Sequence, residues 1–233
     1  MNSQNFALTL LFLSHGLSDY LFQTDSIVLK KSKGLIEGFI KHFLVVLVLN
    51  LLVLPFFKFK AILFLIFLSF VHIIIDYLKY KIAKTDNVYF FIGDQIFHFL
   101  TIYFISLKLI DVFCFSYPEI YFKIFAVFCI YIYVIFGGAI FIKYVLLSLN
   151  IHISKMEITS SGKIIGMLER TLMMTLIAVN QIAAASFVIG AKSIARYKEL
   201  DNKDFAEYYL IGTMLSMLIA LFGGLLIKAI LKI

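Results

Sequence analysis

Long apolar runs, interrupted here and there by a few polar residues, set the pattern of the chain. Ile124 to Ile142, Thr171 to Ala191 and Tyr208 to Ile227 carry no charge at all. Each has the roughly 20 residues that a helix needs to cross the hydrocarbon core. Four further runs, Asn5 to Gln23, Gly38 to Pro55, Ala61 to Tyr80 and Val88 to Leu107, are as long but broken by polar side chains. Helices lying on a membrane surface would carry many more charges on their wet face, so these runs also read as spans. The pattern predicts an all-α, polytopic integral membrane bundle of about seven transmembrane helices. A four-helix membrane unit is expected over residues 1–110 and a three-helix unit over 111–233. Gly162 to Arg196 contains no Pro and as one helix would be about 52 Å long, which makes a long sixth helix.

Composition agrees with the pattern. The 233 residues are 62% hydrophobic and 15% charged, and the mean hydropathy of +1.00 excludes an ordinary soluble core. A net charge of +7 would suit a nucleic-acid partner, but the Lys and Arg stand in short clusters between apolar runs. They read as anchors at membrane ends, and no nucleic acid is implied. With seven alternating spans, twelve Lys fall on the side reached after the first span and eight Lys or Arg on the other. That bias predicts a multi-pass protein of the cell membrane with a cytoplasmic C-terminus. The opening run has no basic start and no small-residue cleavage site, so no cleaved signal is expected. Cys114 and Cys129 show neither metal spacing nor a disulfide framework.

The chemistry lies in the interrupted runs. His15 and Asp19, His72 and Asp76, and Asp94 and His98 are each spaced by one helical turn, so each pair shares a helix face. The first and third spans run toward the Lys-rich side and read His then Asp, whereas the fourth runs back and reads Asp then His. All three Asp therefore fall at one depth, with the His about 6 Å deeper. His42, on the second span, enters near the same level. An intramembrane charge costs at least about 2.5 kcal/mol, so three carboxylates require cations, protonation or water. His15, Asp19, His42, His72, Asp76, Asp94 and His98 form a ligand set suited to a divalent zinc, manganese or iron ion, with Gln23 and Gln95 placed to orient ligands. Polar packing between helices is the competing explanation, with Lys79 or Lys41 neutralising one Asp each.

His15-x-x-x-Asp19 with Gln23, then His42, His72-x-x-x-Asp76-x-x-Lys79 and Asp94-Gln95-x-x-His98 resemble the uncharacterised bacterial membrane proteins grouped as domain-of-unknown-function family 3307. The resemblance covers about the first 110 residues. It implies membrane location and the grouping of these residues, not a reaction; Tyr20 departs from the Phe expected after the Asp. The arrangement is also distantly similar to bacterial inner-membrane proteins classed as metal-dependent hydrolases, without reproducing their motifs.

In the second half, Lys192 and Arg196 are expected to tie to Glu207 across a short loop. Glu169 would either add a carboxylate to the site or pair with a Lys, and Asn180 and Gln181 would bond neighbouring helices. His152 reads as a solvated loop residue. The leading functional expectation is a membrane-embedded hydrolase of a lipid-linked or headgroup-bearing substrate. His and Asp would hold one or two divalent ions, and Asp19, Asp76 and Asp94 are the candidate catalytic residues. A proton or divalent-cation transporter would need the same ligands, and a noncatalytic membrane subunit with a polar core is the third alternative. The expected partners are the lipid bilayer and a lipid-linked substrate, with a homo-oligomer or a membrane partner protein as further alternatives.

Overall fold

The computed structural model describes residues 3–83, 87–114, 118–149 and 160–232; His152 and Lys84 lie outside them. The chain divides into two compact units, Met1–Ile132 and Tyr133–Ile233, a boundary later than the expected residue 110. Among the described residues everything regular is helical apart from one isolated antiparallel bridge between Phe57 and Phe113. Five helices are long and apolar enough to cross a membrane: Ile36–Phe56, Ala61–Ile82, Val88–Val112, Glu119–Ser148 and Lys203–Leu231. The protein is thus a helical membrane protein, but the expected seven spans are not confirmed.

The first unit holds α1 (Ser3–Gly16), α2 (Asp25–Ser32), α3 (Ile36–Leu52), α4 (Ala61–Ile82), α5 (Val88–Leu109) and α6 (Glu119–Ile132). A π turn, Leu17–Leu21, prolongs α1. Thr24 caps α2, its hydroxyl accepting from the Ile27 N–H, and Asn87 caps α5 by accepting from Tyr89. Between α2 and α3 the chain turns at Gly34, whose φ of +69° favours glycine. A β-carbon at Gly38 would lie 2.7 Å from the Lys31 backbone nitrogen. The missing side chain therefore lets α2 lie against the start of α3.

One end of this unit is dry. Phe6, Leu10 and Leu11 of α1, Leu65 of α4, Leu109 of α5 and the loop residue Phe57 are all at most 3% exposed and form one cluster. Phe6 stacks on Phe113 at 5.9 Å and meets Phe56 edge-on at 5.7 Å. The polar residues lie toward the other end of the same helices.

The second unit contains a π turn, Tyr133–Gly137, then α7 (Gly138–Ser148), α8 (Ser160–Ala178), α9 (Ile182–Ala195) and α10 (Lys203–Leu231). Here the expected long sixth helix is corrected. The helix breaks at Asn180, which takes φ 63°, and the chain returns as α9. Lys192 and Glu169, 23 residues apart, are bonded at 2.6 Å; a continuous helix would separate them by about 34 Å. Asn180 and Gln181 cause this break: polar groups in mid-run favour a turn, and Asn tolerates the left-handed region. α8 runs parallel to α10, with Arg170 bonded to Ser216 and Asn180 to Lys228. α7 runs antiparallel to α10, since Leu146 lies beside Gly212 and Val134 beside Gly223. The α8–α9 hairpin replaces the single sixth crossing, so α7 and α10 run in opposite directions, where seven alternating spans would make the fifth and seventh parallel.

Candidate metal centre

Four helices and one π turn of the first unit deliver the polar residues. α1 supplies His15 and its π turn Asp19; α3 supplies His42; α4 supplies His72 and Asp76; α5 supplies Asp94 and His98. All seven expected ligands meet in one buried cluster. The one-turn spacing places each His beneath its own Asp, but the side chains close the expected 6 Å gap. His15 Nδ1 is 3.7 Å from Asp19 Oδ2 and His98 Nε2 is 3.4 Å from Asp94 Oδ1.

The closest arrangement surrounds four atoms: His42 Nε2, His72 Nε2, Asp19 Oδ1 and Asp76 Oδ2. His42 and His72 face each other at 3.0 Å. Asp19 lies 3.4 and 3.2 Å from them, and Asp76 3.3 and 3.8 Å. Ligands about 2 Å from a tetrahedral ion sit about 3.3 Å from one another. Five edges of this box therefore match the spacing of ligands around one cation. Deeper in the unit, His15, His72 and His98 bring their ring nitrogens within 4.8 Å of one another. They line a cavity with Asn50 and Thr101 that has room for about one water.

Cations already reach the outer edge of the cluster. Lys31 of α2 bonds Asp76 Oδ2, and Lys79 bonds Asp94 Oδ2 at 2.9 Å. Lys41 instead pairs with Glu37 at 2.8 Å, because its position on α3 faces away from His42. Gln95 donates to Asp94 Oδ2 at 3.1 Å and accepts from the Tyr20 hydroxyl at 2.5 Å. Gln23, with its amide oxygen turned to Lys31, accepts from that ammonium at 2.9 Å. Both expected orienting glutamines thus touch the site or its lysine. Two lysines against three carboxylates leave one negative charge for an imidazolium or a bound cation to balance.

Residues 7–122 match the model of the family described as "Protein of unknown function (DUF3307)". This stretch of the chain resembles the DUF3307 family. All seven candidate ligands, Lys31 and Lys79 lie inside the DUF3307 match. Neither a curated protein nor a solved structure matches the chain.

Several contacts of the DUF3307 region are not apparent from motif spacing. Ser14 donates to Asn50 Oδ1 at 2.7 Å, and Asn50 donates to Ser69 at 2.9 Å, which supports the cluster from below. Asn50 lies eight residues after His42 and Ser69 three before His72; the shared helix stripe was the available signal. In the second unit the expected tie to Glu207 does not form. Lys192 takes Glu169, Arg196 takes Glu199 at 2.5 Å, and Glu207 lies 4.0 Å from Lys203. The hairpin causes this by bringing α9 back beside α8. Glu169 is thereby committed to a lysine of its own unit. Arg170 is buried and among the described residues has no bonded carboxylate, donating instead to Ile135 O at 2.8 Å, a carbonyl of the wide π turn.

Proposed function

We propose that the DUF3307 region is a membrane-embedded, metal-dependent hydrolase of a lipid-linked or headgroup-bearing substrate. The observation that carries this reading is the box formed by His42, His72, Asp19 and Asp76, five of whose six edges, at 3.0–3.8 Å, suit one small cation. Zinc, manganese and iron fit this mixed imidazole and carboxylate set. Such an ion supplies a bound water acidified enough to give hydroxide near neutral pH. Asp19 turns Oδ1 to the box and Oδ2 to His15, and so is placed to accept the proton that the water releases. Lys31 and Lys79 stand at the outer edge, partly in solvent, where an anionic headgroup would meet them. Lys30, Lys31, Lys33, Lys79 and Lys81 cluster near this end, which supports a cytoplasmic location for it.

The dry end of the unit favours hydrolysis over transport. A transported ion must leave on either side, but beyond the histidines the helices close on Leu11, Leu65 and Leu109, each wholly buried. Protein purified in detergent is expected to retain near-stoichiometric metal through dialysis, and Asp76→Ala and His72→Ala to lose it. The metal-loaded protein should release headgroups from lipid substrates, and liposomes containing it should carry no cation flux. Flux abolished by those two substitutions would refute the hydrolase and establish a transporter. Neither metal nor flux would leave polar packing as the role of the cluster.

A further inference from the structure

The cluster has two sides, and the lysines occupy only the outer one. Lys79 and Gln95 both bond Oδ2 of Asp94, and Lys31 bonds Oδ2 of Asp76. The other oxygen of each carboxylate points inward. Asp94 Oδ1 lies 3.4 Å and Asp76 Oδ1 3.6 Å from His98 Nε2. Asp94 Oδ1 and His98 Nε2 are wholly buried and make no hydrogen bond among the described residues. A buried acceptor left without a donor is costly, and here it faces an imidazole nitrogen equally without a partner. A cation between them would satisfy both.

Resting on the hydrolase reading and deepening it, we infer that the centre holds two cations, bridged by Asp76, and acts on a terminal phosphate carried by a lipid. Asp76 turns its two oxygens to different histidines, Oδ2 toward His42 and Oδ1 toward His98, and so joins the two positions. One position is the box described above. The other consists of Asp76 Oδ1, Asp94 Oδ1 and His98 Nε2, atoms that lie within 4.8 Å of one another. A bridging carboxylate holds ions about 3.5–4 Å apart, the separation that clamps both the attacking and leaving oxygens of an in-line phosphoryl displacement. Charge selects the same substrate: two dications with Lys31 and Lys79 exceed the three carboxylates, which suits a multiply charged phosphate and not a neutral carboxyl ester. In the reaction a water oxygen bonds to phosphorus as the bond from phosphorus to the lipid oxygen breaks. The proton that the water gives to Asp19 returns to the lipid oxygen. Inorganic phosphate and the lipid alcohol result, with no change of oxidation state.

Manganese-loaded, full-length protein tests this. Two manganese ions per chain are expected, with the spin-coupled resonance spectrum of a close pair, and saturating inorganic phosphate should change that spectrum. Asp94→Asn and His98→Gln should each leave one ion and an uncoupled spectrum. A single ion in the wild type overturns the two-cation centre while leaving the hydrolase reading intact, whereas no retained ion overturns both. A coupled spectrum indifferent to phosphate overturns the substrate class. The wild-type spectrum decides the number of ions even where a variant fails to fold.

Discussion

Replacing Lys31 with Met separates a layer built for metal from one that merely packs, because the two predict opposite signs. Lys31 reaches from α2 to Asp76 Oδ2, and its side chain is 14% exposed against 5% for the carboxylate. Without metal, removing the ammonium leaves the buried Asp76 carboxylate with only imidazoles beside it, and breaking a fully buried ion pair costs about 3–5 kcal/mol. Lys31 keeps contact with water, so the lower end, about 3 kcal/mol, is the appropriate figure. For a chain of this size that lowers the melting temperature by about 6–12 °C. With metal, the same ammonium is a competitor. A unit charge about 4 Å from a divalent cation repels it by about 8 kcal/mol at an effective dielectric constant of about 20. Water at the open end weakens this. An affinity gain of at least about tenfold, or about 1.4 kcal/mol, is still expected. Melting curves of the metal-free protein and competition titrations with a metal indicator measure the two quantities. An unchanged or weakened metal affinity in Lys31→Met, alongside the loss of stability, would refute the lysine's role as the metal's competitor, and the absence of any metal binding by either protein would refute the metal site.

The remaining predictions concern the second unit. Gly224→Ala should destabilise the protein by about 1–3 kcal/mol, because the new β-carbon would lie 2.8 Å from the Met174 carbonyl oxygen, a backbone atom with little freedom to yield. An unaltered melting temperature in detergent would contradict the close packing of α8 on α10. Single cysteines at Lys163 and Lys198, with Cys114 and Cys129 replaced by Ser, should react with an impermeant label from the same side of the membrane. Labelling from opposite sides would restore the uninterrupted sixth span.

The reversal of His and Asp order with helix direction made the meeting of His15, Asp19, His72, Asp76, Asp94 and His98 legible in the sequence, since helix periodicity fixes which side chains share a face. The box itself was not legible. It depends on His42 and on side-chain reach, and one-turn spacing along separate helices says nothing about distances across them. Lys31 was visible only as part of a basic cluster; its entry into the site needs the close approach at Gly38, a tertiary contact. The hairpin was missed for a local reason. Asn180 and Gln181 stand in an uncharged run, and hydropathy averaged over a span conceals two amides that end a helix. Lys41 and Glu37 illustrate the converse, a basic residue beside a ligand whose helix face turns it to a surface carboxylate instead.

The hairpin also bears on how the protein is made. α9 has 14 residues, too few to cross a bilayer as a helix, and α8 brings Glu169 and Arg170 with it. On the insertion scale a charge at mid-helix costs about 2.5–3.5 kcal/mol. Neither helix is therefore a good substrate for the insertion machinery alone. Their polar groups find partners partly in each other, through Glu169 and Lys192, and partly in α10, through Ser216 and Lys228. Synthesis delivers the pair before α10, yet the pair needs α10 to settle. A nascent chain stopped after Leu200 should accordingly leave α8 and α9 open to protease, and lengthening it through α10 should protect them.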